Sequence, residues 1–99
     1  MAKKQKRKDS ISFDKEGIRF TILQFDQRID KMHEDFMKYR HGEIPIKPDL
    51  ERLERELMGF SRRKIFELEL SSHLDNVLFK LQNRKKIWLT WVEEIHGGL

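Results

Sequence analysis

Apolar residues recur along the last third of the chain at Leu70, Leu74, Val77, Leu81, Trp88, Trp91 and Ile95, with Arg84 in the one slot that interrupts them. Steps of four and three alternate throughout, the spacing that keeps a narrow helical stripe against a neighbouring helix. Ile18, Ile22, Phe25, Ile29, Met32, Phe36 and Tyr39 form a second series with the same rhythm. Residues 17–22 alternate locally like a strand, but the heptad sustained beyond them outweighs that signal. The pattern predicts a first helix over residues 14–40, with Asp14 as N-cap and Gly42 just past its end. Gly42, Pro45 and Pro48 make residues 41–49 a loop, whose Ile44 and Ile46 are expected to pack onto the end of the bundle. A short helix begins near Asp49 and carries Leu50, Leu53, Leu57 and Phe60. Gly59 and Ser61 mark a turn, and Ser61 is the expected N-cap of a third helix over residues 62–96, closed by Gly97 and Gly98.

These elements predict an all-α fold: a long antiparallel two-helix, coiled-coil-like hairpin braced by a short middle helix. An antiparallel register pairs Ile18 with Ile95, Ile22 with Trp91, Phe25 with Trp88 and Ile29 with Arg84. It continues through Met32 with Leu81, Phe36 with Val77 and Tyr39 with Leu74. Ile65, Phe66 and Leu68 are out of phase with the third helix's stripe and are expected to face the short helix.

Composition narrows the function classes. The chain of 99 residues has room for one small domain. It has no cysteine, which excludes disulfides and thiolate metal sites. No apolar run is long enough to span a membrane, and the basic start lacks the apolar core of a secretion signal, so a cytoplasmic location is expected. The net charge of +4 is unevenly placed. Lys3, Lys4, Lys6, Arg7 and Lys8 supply five of the 21 basic residues, leaving 16 against 17 acidic ones from Asp9 onward. Residues 1–9 read as a disordered basic tail, and residues 10–99 as a single helical hairpin or three-helix domain.

Phe36, Tyr39, Gly42 and Pro48, followed by Trp88, Val92, Ile95 and Gly98 with Glu93 and Glu94 between them, carry a resemblance. Over about residues 28–98 the chain resembles an uncharacterised family of small bacterial helical domains found among myxobacteria and related groups. The family's adjacent prolines are separated here. The resemblance implies a helical fold and a bacterial source, and brings no activity with it.

Candidate chemistry is sparse. Arg84 on the seam predicts a buried polar contact with Asp30 or Asp26, a device that fixes register in coiled coils. The functional alternative is an anion clamp in which Arg28 and Lys80 join Arg84. His33, His41, His73 and His96 lack metal-ligand spacing, no phosphate loop is present, and no Ser–His–Asp pattern is legible. His33 with Asp30 and His73 with Asp75 read as surface pairs. No catalytic residue, metal or cofactor is expected, and the chain reads as non-enzymatic. Phe13, Phe20 and Leu23 lie off the first seam and Ile87, Leu89 and Val92 flank the second. In the antiparallel register all six share the end near both termini, a cluster that a partner protein or a second copy would cover. The alternative is a nucleic-acid-associated protein using Lys3, Lys4, Lys6, Arg7, Lys8, Arg62, Arg63 and Lys64. Lys85 and Lys86 add a further basic pair on the outside of the third helix.

Overall fold

A computed structural model describes residues 15–97, so the N-cap expected at Asp14, the basic tail and Phe13 lie outside the described residues. Three helices follow in order: α1 (Lys15–Arg40), α2 (Leu50–Ser61) and α3 (Leu68–His96). The fold is all-α, with the two long helices packed together and the short one bracing them. α1 ends where Gly42 takes φ +79°, a left-handed conformation that glycine adopts without strain. Asp49 caps α2 by accepting the Arg52 amide at 3.1 Å. α3 is continuous through Ser71 and Ser72.

Two expectations are corrected. Ser61 does not cap α3: it closes α2, its hydroxyl donating to the Met58 carbonyl at 2.7 Å. Residues 62–67 therefore form a linker, and the third helix starts at Leu68 instead of Arg62. The second correction is larger, because α1 and α3 run parallel. Lys15 pairs with Glu67 (3.5 Å) and Arg19 with Glu69 (3.8 Å) where both helices begin. Arg40 meets Glu94 (3.3 Å), and the Tyr39 hydroxyl meets His96 Nε2 (2.9 Å), where both finish. α2 lies antiparallel to them, placing Phe60 against Phe25 (5.7 Å between centroids), Glu56 on Arg28 (2.7 Å) and Glu54 on Lys85 (2.7 Å). The topology is up, down, up, and each short connection reverses the chain once.

The two stripes still make the core, in a different register. Ile18, Ile22, Phe25, Ile29 and Phe36 of α1 pack with Leu70, Leu74, Val77, Leu81 and Trp88 of α3. Leu50, Leu53, Leu57 and Phe60 of α2 close the third side. Trp88 is fully buried, and its partner is Phe36, stacked at 4.9 Å and 9°, instead of Phe25. Ile44 is half-buried, whereas Ile46 points into water instead of packing onto the bundle end.

Candidate interaction surface and the polar seam

The end where α1 and α3 finish is closed by aromatic packing. His33, half-buried, lies between Trp88 and Trp91, with ring centroids 6.1 and 5.4 Å away. The Trp88 indole N–H donates to His33 Nδ1 at 2.9 Å, so the neutral ring carries its own hydrogen on Nε2. That contact replaces the surface pair with Asp30 expected from sequence. Burial, then the nearby Arg84 charge, pushes the His33 pKa below its ordinary value, and Asp30 only partly offsets them. Arg40 caps the assembly with its guanidinium 5.0 Å from the Trp91 ring.

Lys80 takes the role expected of Arg84. Its amine bridges Asp26 at 2.7 Å and Asp30 at 2.8 Å, joining α1 to α3. Burial works against the charged amine, but the two carboxylates outweigh it and raise the pKa above the ordinary value. Asp30 is exposed, so the expected buried Arg84–Asp30 contact does not form. Arg84 is half-buried, and its Nε–H is enclosed with no hydrogen-bond acceptor among the described residues. Of the three cations of the supposed clamp, Lys80 and Arg84 lie along one open pocket on α3, whereas Arg28 lies apart from them. Arg28 is held by Glu56, whose carboxyl is kept below the usual range by hydrogen bonds from Arg28 and then Arg52.

The six residues expected to share one end are divided by the parallel arrangement. Phe20 and Leu23 lie near the start of α1, while Ile87, Leu89 and Val92 belong to the second half of α3, and Phe13 is outside the described residues. Val92 is half-buried and packs against the core. Ile87 is 38% exposed and Leu89 44%.

Other large apolar side chains are more exposed. Phe66 is 90% exposed, Leu68 79%, Phe79 68% and Phe20 61%. These lie on the linker, on the first half of α3 and on the first turns of α1, toward the end where the two long helices begin. Apart from Ile46 in the loop, they are the only large apolar side chains above 60% exposure among the described residues. Phe66 and Leu68 were expected to face α2, but neither does. Below Phe66 an open groove of about 310 Å³ has Ile18, Ile65 and Leu70 along it, with Lys15, Lys64 and Glu67 at its edges. Leu68 and Phe79 are eleven residues apart on the side of α3 opposite the seam, a spacing from which the sequence could have shown the exposed stripe.

Among the described residues at that end, 15–19 and 62–69 hold five Lys and Arg against three Glu. Lys85, by contrast, is occupied by Glu54. No described helix is long and apolar enough to cross a membrane, and the described residues contain no cluster of three metal-binding side chains. Compared with family models, curated proteins and solved structures, the chain matches none.

Proposed function

We propose that this chain is a non-enzymatic helical protein–protein interaction module of the cytoplasm, docking on a protein partner or a second copy through the end where α1 and α3 begin. The observation that carries the reading is the exposure of Phe20, Phe66, Leu68 and Phe79 in that one half of a small bundle. Each such side chain forgoes roughly 1.5–3 kcal/mol relative to full burial. Exposed apolar patches of this kind mark contact surfaces, and aromatic anchors dominate the energy of such contacts. An anion-clamp enzyme is disfavoured because Arg28 and Lys80 are already bound to carboxylates on different sides of α1.

A second reading, nucleic-acid association, is favoured by one observation. The chain segment carrying Lys3, Lys4, Lys6, Arg7 and Lys8 joins α1 at the same end as Arg62, Arg63 and Lys64. Salt separates the two readings, since phosphate contacts weaken steeply with ionic strength. Sedimentation equilibrium and crosslinking after nuclease treatment, both in about 0.5 M salt where surface charges are screened, should reveal a protein assembly. Phe66→Glu with Phe79→Glu should abolish that assembly while circular dichroism stays helical. Retention of nucleic acid alone, lost at that salt, would replace this reading with the second.

A further inference from the structure

The end where α1 and α3 finish holds a contact that exists in only one protonation state. We propose that His33 latches the last turns of α3 to α1, and that protonation of its ring releases those turns while the rest of the bundle stays folded. Release exposes Trp91 and opens the edge of Trp88 to water. The latch owes nothing to the docking surface at the opposite end. What carries it is which atoms can donate. The Trp88 indole nitrogen has a hydrogen to give and no lone pair, so its bond to His33 Nδ1 at 2.9 Å requires a neutral imidazole. A protonated ring bears hydrogens on both nitrogens and accepts nothing. Trp88 is fully buried, so its N–H is then enclosed without a partner, a state that native structures rarely tolerate. The nearby Tyr39–His96 contact at 2.9 Å behaves differently. A phenol hydroxyl both donates and accepts, so that bond survives protonation with its direction reversed.

The surrounding charges oppose a protonated ring between the tryptophans. Burial and then the Arg84 charge on α3 already favour the neutral form, and Asp30 on α1 opposes them. Arg84 has an unsatisfied Nε–H of its own and offers a charged imidazole only repulsion. Asp30 is exposed and shares Lys80 with Asp26, so it attracts a charged ring toward the surface and away from Trp88. Arg40 lies over Trp91 and is paired with Glu94, which adds a second cation to the rim. In the loop after α1, His41 is turned to Glu43 at 3.8 Å.

Release can stay local. α2 begins beside Met32 and Asp35 and runs toward the opposite end, so no third helix braces the last turns of α1 and α3. None of residues 37–40 or 89–96 is buried, and beyond Trp88 only Trp91 and Val92 of α3 are half-buried. Segments with so few buried contacts open well below the cost of global unfolding. The remaining ties there, Tyr39 with His96 and Arg40 with Glu94 at 3.3 Å, are exposed, and exposed pairs contribute little.

Both tryptophans of the chain sit at this end, so their emission reports on it alone. The test follows acrylamide quenching and emission wavelength of the full chain while NMR titrates the His33 ring. Quenching should at least double and emission move to the red at the His33 midpoint, which lies below the ordinary 6.5. Over the same step, amide hydrogen exchange should accelerate at least tenfold in residues 89–96 and remain unchanged in residues 70–81 and in α2. His33→Gln, which keeps an acceptor but does not titrate there, should remove the transition, and His96→Gln should leave it in place. Titration of His33 without a rise in quenching, or the same transition in His33→Gln, overturns the latch. Exchange that accelerates equally throughout the chain means global unfolding and overturns it too. Should His33→Gln fail to fold, the coincidence of the wild-type His33 midpoint with exchange in residues 89–96 decides the matter.

Discussion

Where α1 and α3 finish, Phe36 stacks on Trp88, His33 accepts the indole hydrogen, and Arg40 covers Trp91. Where the same two helices begin, Phe66 stands in water beside an open groove, and Phe20 and Leu68 are exposed as well. Both ends are apolar and aromatic, yet one is sealed and the other is not. The difference lies in what each aromatic ring meets. At the closed end every ring has a partner on the opposite long helix. At the open end the linker turns Phe66 outward, and Phe20 lies off its seam with nothing opposite. Aromatic content alone therefore does not locate a binding surface; the direction of the helices does.

The sharpest way to break this comparison is to remove one ring from each end. Trp88→Ala should cost about 3–5 kcal/mol, the range for deleting a large buried side chain. Phe66→Ala should change stability by no more than about 0.5 kcal/mol, as for surface substitutions. Urea denaturation midpoints measure both, and similar losses at the two sites would show that the open end is core.

A smaller effect is expected on the seam. Arg84→Leu removes an enclosed N–H with no acceptor, which should stabilise the fold by about 1 kcal/mol, since an unsatisfied buried donor costs roughly 1–3. The same variant removes a charge that lowers the His33 pKa, so an NMR titration should show that pKa moving up. A stability loss with an unchanged His33 titration would mean that Arg84 has a partner the account lacks.

The smallest effect concerns pH. His33 has a folded pKa below its ordinary 6.5, so between the two values the unfolded chain binds the proton and the native one does not. Stability from this group is thus present above pH 6.5 and falls as pH drops through 6.5 toward the folded pKa, below which the loss is complete. Protonation also removes the Nδ1 lone pair that Trp88 needs. His33→Gln, which keeps an acceptor but does not titrate there, should flatten this dependence in denaturation series across that range. An unaltered slope would assign the pH effect to other groups.

The helices and most of the core were legible because the two apolar stripes have helical spacing, and Leu50, Leu53, Leu57 and Phe60 mark the short helix. Their direction was not legible from the stripes, because alternating steps of four and three read the same from either end. The turns contained the missing information: Gly42 with Pro45 and Pro48 reverses the chain once, and the turn after Phe60 reverses it again. Two reversals restore the original direction, so α3 follows α1. The seam slot of Arg84 was visible, but spacing does not decide which cation wins a carboxylate. Lys80, one turn earlier, reaches both Asp26 and Asp30. Phe66 was misplaced because the third helix was extended back through a linker, which made an outward-turned residue look like part of a packed face.

Parallel packing of α1 and α3 is what brings the linker and the start of α1 to one end, and a pair of distances tests it. The chain has no cysteine, so nitroxides can be placed at Glu16→Cys with Ser72→Cys, and separately at Glu16→Cys with Glu93→Cys, all on exposed positions. From a rise of ~1.5 Å per residue, electron spin resonance should find the first pair within about 20 Å and the second roughly 40 Å apart. The reverse order, with Glu16 near Glu93 and far from Ser72, would contradict the parallel bundle and remove the surface built on it.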